Sequence, residues 1–162
     1  MALIELPHSH GCLVCGHDNP RGLHLHLNVD DATGRVVTEF TPEAYQIGFE
    51  AVVHGGALAT VIDEVMVWAA TWKIRRFCLC AELTTRFRHP VAVGMTLTIS
   101  AEVEFHRPKM VETVAKVFDS EGTLIATSSG KYMPMPPEQH RAIVKTLVVA
   151  EATAQALAHL KI

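Results

Sequence analysis

The longest apolar stretch of the chain runs from Val53 to Trp72, and the surrounding pattern is arranged about it. Between Ala57 and Ala70 the only charged residues are Asp63 and Glu64, which predicts a long, buried helix opening on His54-Gly55-Gly56. Upstream, Leu23 to Val29 alternates apolar with polar residues, the mark of a half-buried strand with His24 and His26 on its wet face. A turn at Asp30–Gly34 and a strand from Arg35 to Phe40 complete a hairpin, and residues 41–50 lead as a loop into the helix. Downstream the period shortens to two. In the segment Phe77 to Arg88, Leu83, Thr85 and Phe87 alternate with Thr84, Arg86 and Arg88. His89 to Gly94 interrupts, and strands follow over 96–105, 111–118 and 123–133, the last two joined by the tight-turn sequence Asp119-Ser120-Glu121-Gly122. Pro134, Pro136 and Pro137 end the sheet. From Glu138 to Ile162 an apolar stripe of Ile143, Leu147, Ala150, Ala154, Leu157 and Ala158 predicts one terminal helix. One long helix against one antiparallel sheet is an α+β, two-layer design. It forms a single domain, 1–162, with its core at about 23–134 and a C-terminal helix at about 138–162.

Composition narrows the class. At 162 residues, 49% hydrophobic and 19% charged, the chain builds one sizeable core and has apolar surface to spare for a subunit interface. A net charge of -3 offers no basic footprint for nucleic acid. Asp63 and Glu64 interrupt the only run approaching a membrane span, and Met1 to Pro7 has neither the basic start nor the apolar run of a signal peptide. These features point to a cytoplasmic protein without membrane contact. The four cysteines, 12, 15, 78 and 80, fall in two close pairs. Cys12, Cys15 and nearby histidines supply soft ligands at chelating spacing, but a second pair with knuckle spacing is missing. The segment therefore reads as a packed loop, and no metal is expected. Cys78 and Cys80 read as core residues.

Chemistry concentrates in the central helix. Burying an ionised carboxylate is costly unless it is paired or its pKa moves. Two glycines at a helix start leave first-turn N–H groups uncovered, where negative charge is favoured. At His54-Gly55-Gly56 followed by Asp63, the sequence resembles the hotdog-fold acyl-CoA thioesterases, above all the phenylacetate-degradation and 4-hydroxybenzoyl-CoA thioesterase branch. In that branch an acidic residue stands nine positions after the His. Cys12-x-x-Cys15-Gly16-x-x-Asn19-Pro20-x-Gly22-Leu23 and Arg88-His89-Pro90-Val91-x-Val93-Gly94 extend the likeness over roughly residues 12 to 134. The resemblance implies a hotdog fold, an antiparallel sheet wrapped around the helix. It also implies hydrolysis of an acyl-CoA thioester, with no cofactor beyond the coenzyme A of the substrate. Asp63 is then general base or nucleophile, Gly56 N–H, with Gly55, the oxyanion donor, and His54 shapes the loop. Relatives place an Asn or Gln shortly before the His; here the loop offers Gln46.

Asp63 lies seven residues past Gly56, roughly 10 Å along a helix rising about 1.5 Å per residue. A reacting carbon must sit within about 3–3.5 Å of its attacker, so one helix cannot present both groups to one carbonyl. Two antiparallel copies can, which implies a homodimer or homotetramer with shared sites. Arg86, Arg88 and His89, and also Arg107 and Lys109, are candidate cations for coenzyme A phosphates. Phe49, Val53, Trp68 and Trp72 are candidates for the acyl pocket. Three other readings compete: a non-catalytic acyl-CoA sensor, a hotdog hydratase or dehydratase using His54, and a partner-binding zinc loop at Cys12–Cys15.

Overall fold

The computed structural model describes residues 3–161. Strands β1 (Leu3–Glu5), β2 (Asn28–Asp30), β3 (Val36–Phe40), β6 (Cys78–Phe87), β7 (Leu97–Arg107), β8 (Met110–Asp119) and β9 (Leu124–Pro134) form one antiparallel sheet in the order β1-β2-β3-β7-β8-β9-β6. A short hairpin, β4 (Ile47–Phe49) with β5 (Val52–Val53), precedes helix α1 (Gly55–Ile74). After the sheet come α2 (Pro137–Val144) and α3 (Ala154–Leu160).

The sheet curls around α1. Leu58, Val61, Ile62, Val65, Met66, Ala69 and Ala70 are buried against Val29, Val36, Leu97, Ile99, Val111, Val117 and Tyr132. This explains why the helix is apolar on most of its circumference. One strip, Gly56, Ala59, Thr60, Asp63 and Val67, stays partly or fully open; its members lie three or four residues from one another along the helix, Ala59 and Thr60 side by side, which keeps them on one face. At the C-terminal end Arg75 takes a left-handed conformation (φ 56°) and its N–H reaches the Thr71 and Trp72 carbonyls.

Of the four strands expected after the helix, β7, β8 and β9 form consecutive antiparallel hairpins, while β6 joins them on the outer side of β9 rather than beside β7. In the β8–β9 turn, Asp119 Oδ1 accepts from the N–H groups of Glu121 and Thr123, and Gly122 supplies the positive φ of 82°. Upstream the pattern was less literal. Leu25, Leu27 and Val29 point inward and His24 and His26 outward as the alternation requires, but only Asn28–Asp30 joins the ladder. Leu25 N–H instead bonds the Val14 carbonyl, and His24 breaks the extended run with φ 51°. The loop over 41–50 contains the β4 strand and a 3-10 turn at Ala44–Gln46.

An extra helical segment does follow the sheet, but the single helix over 138–162 is corrected to two short ones. Val148 N–H bonds the His8 carbonyl, and Leu147 bridges Ser9, so the chain turns outward to pair with the N-terminal loop. The buried set becomes His140, Leu147, Thr153, Ala156, Leu157 and Leu160, while Ala150, Ala154 and Ala158 face solvent. These helices seal the end of α1. His159 stacks on Trp72 (3.9 Å) and donates from Nε2 to the Trp72 carbonyl. Fully buried His140 accepts from Phe77 N–H at Nδ1 (3.0 Å) and donates from Nε2 to the Leu160 carbonyl (2.8 Å).

Candidate active site

The start of α1 is shaped by His54, the N-cap. Its Nδ1 accepts the Gly56 N–H at 2.9 Å, and its carbonyl accepts from Ala57. A Cβ on Gly56 would stand 2.9 Å from that nitrogen, so the ring can fold over position 56 only because it is glycine. Gly55 N–H has no acceptor among the described residues. His54 N–H bonds the Gln46 carbonyl, which fixes the β4–β5 hairpin beside the helix end. Gln46 itself is buried, and its amide is committed to its own turn: Oε1 accepts from Glu43 N–H, and Nε2 donates to the Tyr45 hydroxyl.

A cavity of about 280 Å³ opens here, lined by Phe49, Val53, His54, Gly55, Phe87 and His89 among others. It is mostly apolar and lies against the positive end of the helix. Of the acyl-pocket candidates, Phe49 and Val53 line it and Trp68 and Trp72 do not. Trp68 packs edge-on to Phe77 (5.4 Å) and Trp72 under His159, because the helix carries them more than two turns away from its start. Arg86, Arg88 and His89 are exposed at the end of β6 and just beyond it, with no acidic partner among the described residues.

Asp63 sits on the open face of α1, two turns beyond Gly56. Tyr132 of β9 donates its hydroxyl to Oδ1 at 2.7 Å; Oδ2 accepts nothing from the described residues. Burial, followed by the charge of Asp63, pushes the Tyr132 phenol well above its ordinary range, so it stays a donor. Burial and the same carboxylate push Cys80 up to about 11. Cys80 is exposed beside Asp63 rather than in the core, while Cys78 is buried as expected. Tyr132 can stand here because Gly130 is next to it on the same face of the strand: a Cβ at 130 would lie 2.8 Å from the Tyr132 ring and 3.1 Å from the Met66 methyl.

Sequence reasoning missed Tyr132. Its only signal was an aromatic residue with a polar tip, two positions after a glycine, in the inward register of the last strand. Glu64, a quarter-turn round the helix, faces elsewhere. Its Oε1 accepts from Trp68 Nε1 (3.1 Å) and lies 4.0 Å from Cys12 Sγ. Desolvation raises its carboxyl to about 7. The arrangement thus divides the chemistry between a helix end beside an apolar cavity and an anchored carboxylate about 10 Å further on.

Residues 50–126 match the family model of the thioesterase superfamily. The chain is 25% identical over 108 residues to the acyl-coenzyme A thioesterase THEM4 of Xenopus laevis, covering 67% of this chain and 48% of that protein. It therefore spans about half the length of this curated relative. Among solved structures, a thioesterase superfamily protein superimposes with a TM-score of 0.69 at 21% identity, over 76% of this chain and 60% of the other. The PaaI protein of the E. coli phenylacetic acid degradation operon does so with 0.60 at 21% identity, over 64% and 75%. At such identities the structural likeness speaks for the fold, and the family match spans the last turns before α1, the helix itself and most of the sheet after it. The chain is thus similar to the thioesterase superfamily over residues 50–126, and its fold is the hotdog fold of the solved relatives.

Proposed function

We propose that the protein hydrolyses an acyl-CoA thioester to a carboxylic acid and coenzyme A at two sites shared across a homodimer. The observation that carries this reading is Asp63, a carboxylate on the open face of α1, anchored by the Tyr132 hydroxyl with Oδ2 left free. It stands too far from its own helix start to serve a carbonyl bound there. Antiparallel apposition of two α1 helices along the strip Gly56–Val67 brings the partner's Asp63 to that carbonyl. As general base, Asp63 takes a proton from water, the hydroxide adds to the thioester carbon, and the thiolate leaves with that proton. As nucleophile, Asp63 adds to the thioester carbon and expels the coenzyme A thiolate to form an acyl anhydride, which water then opens, restoring Asp63 and supplying the thiolate's proton. In both routes the developing oxyanion is met by Gly55 N–H, and by Gly56 N–H once His54 swings off it.

The open edge of β6 supports the dimer. This ten-residue strand has no neighbour on its outer side among the described residues, and Leu79 (59%) and Phe87 (48%) are exposed. Such an edge is an aggregation hazard unless a second chain covers it. Arg86, Arg88 and His89, of which His89 lines the cavity, are exposed with no acidic partner among the described residues, which supports them as the cations that bind the coenzyme A phosphates. The relationship to an acyl-coenzyme A thioesterase supports the substrate class.

The test is thiol release from short, medium, long and aromatic acyl-CoAs by wild type and Asp63→Asn, with oligomeric state followed by sedimentation. Turnover by a dimer that collapses in the variant, with KM little changed, supports the proposal. A second reading, acyl-CoA binding without turnover, is favoured by the capped Gly56 N–H and the locked Gln46 amide. Binding of acyl-CoA with no hydrolysis of any ester would establish it instead.

A further inference from the structure

Glu64 is a desolvated carboxylate that the proposed hydrolysis does not use. No Lys, Arg or His among the described residues pairs with it. Its one strong donor is the Trp68 indole N–H. A carboxylate in such surroundings calls for a compensating cation. Facing it is the turn Cys12-Leu13-Val14-Cys15-Gly16 from the N-terminal loop. The N–H groups of Val14 and Cys15 both point at Cys12 Sγ (3.3 and 3.4 Å), and Gly16 N–H closes the turn on the Cys12 carbonyl. Only glycine fits at 16, since a Cβ would lie 2.4–2.6 Å from the Cys12 backbone and the His10 carbonyl. The turn is therefore built to hold one sulfur in a cradle of N–H groups and to bring the second to the same side. Cys12 Sγ, Cys15 Sγ and a Glu64 oxygen all lie within 4.8 Å of one another.

We propose that Cys12, Cys15 and Glu64 form a three-ligand site for a divalent transition metal, zinc by preference, with a fourth position open to water. Zinc–sulfur bonds of about 2.3 Å and a zinc–oxygen bond of about 2.0–2.2 Å require ligand separations of roughly 3.6–3.8 Å in a tetrahedron. The cluster is thus within about 1 Å of the bound geometry, a distance that rotation about the Cys and Glu side-chain bonds closes. Two thiolates and a carboxylate carry three negative charges, and a dication reduces the total to one. Thiolate donors select zinc over the hard oxygen-seeking ions. Trp68 N–H, bonded to the ligating carboxylate, orients it from outside. The chain spacing hid this site because the third ligand is 52 residues from Cys12, on α1. Metal here ties the N-terminal loop to the middle of the helix, one residue from Asp63. The site stands or falls independently of the thioesterase reading.

The experiment strips untagged, reduced protein with a chelator and titrates it with zinc against a competing chromophoric chelator, and separately with cobalt(II). The expected result is one equivalent of metal and a sulfur-to-cobalt charge-transfer band, both lost in Cys12→Ser and Cys15→Ser and unchanged in Cys80→Ser. Glu64→Gln keeps the thiolates and the Trp68 contact; it should bind zinc at least about tenfold more weakly, with an unchanged circular dichroism spectrum. Bound zinc should also protect Cys12 from alkylation. The proposal is overturned if stripped wild type takes up no zinc at micromolar concentration, or if Glu64→Gln binds as tightly as wild type. Recovery of a Cys12–Cys15 disulfide in the presence of equimolar zinc also overturns it, in favour of a redox pair.

Discussion

Replacing Tyr132 with Phe removes a single hydroxyl whose bond to Asp63 Oδ1 is 2.7 Å long. The ring stays. It is fully buried, packed by Met66 and Gly130, and held in register by the pairing of residue 132 with Val111 and Cys80. A hydrogen bond to a charged acceptor contributes about 1.5–3 kcal/mol where water cannot substitute. Asp63 is only partly buried, so water can replace the phenol and the stability loss should fall to about 1 kcal/mol. Catalysis is less forgiving, because water restores a hydrogen bond but not an orientation. With the carboxylate free to rotate, kcat should fall about 10- to 100-fold, equivalent to about 1.4–2.7 kcal/mol of barrier, with KM little changed. The assay is steady-state thiol release on the best acyl-CoA, beside urea unfolding of both proteins. A kcat within about twofold of wild type, with the bond shown broken by the loss of stability, would refute the idea that Tyr132 aims Asp63.

His54→Ala should cost about 1 kcal/mol of stability, the usual loss of an N-cap, while leaving kcat equal to or above wild type because Gly56 N–H is released; a large kcat loss in stably folded protein would give His54 a direct role. His140→Leu strands the Phe77 N–H and the Leu160 carbonyl in the interior, at about 1–3 kcal/mol each. Its urea midpoint should drop far more than that of His26→Ala, which alters a surface position. His8 has its pKa lowered by burial and then by His17 and His26. Its stabilising contribution is therefore present above the ordinary histidine value of about 6.5 and lost as pH falls toward the lower folded value. His8→Asn should unfold with a shallower dependence on pH below about 6.5, and equal slopes for variant and wild type would remove His8 as the cause.

The central helix and the meander were legible because their periods, 3.6 and 2, run long enough to be unambiguous. Asp63 stood out as a carboxylate inside an apolar helix, and its nine-residue interval from His54 through the resemblance to the hotdog thioesterases. What escaped was set by contacts between distant segments. Tyr132 meets Asp63 across 69 residues and Glu64 meets Cys12 across 52, and no local pattern records either. The terminal helix was misjudged because its alanine-rich stripe fits helical spacing whether or not anything packs against it; the N-terminal loop captured Leu147 and Val148 instead. Cys80 was misplaced because a cysteine is equally at home in a core and on an edge strand.

The order of strands in the sheet also governs how the molecule can assemble. β7, β8 and β9 are consecutive hairpins that zip locally, whereas β3 must find β7 and β6 must find β9 across long intervening chain, with α1 enclosed between them. Closing those loops costs entropy that the meander does not incur. A chain that has formed only its meander already holds Tyr132 in place and has no Asp63 to meet it. On loop-closure grounds the strand β6 should join the isolated chain after the meander and open before it. Hydrogen exchange should register this as faster opening of β6 than of β8, which places the machinery along the seam where the fold is most easily parted.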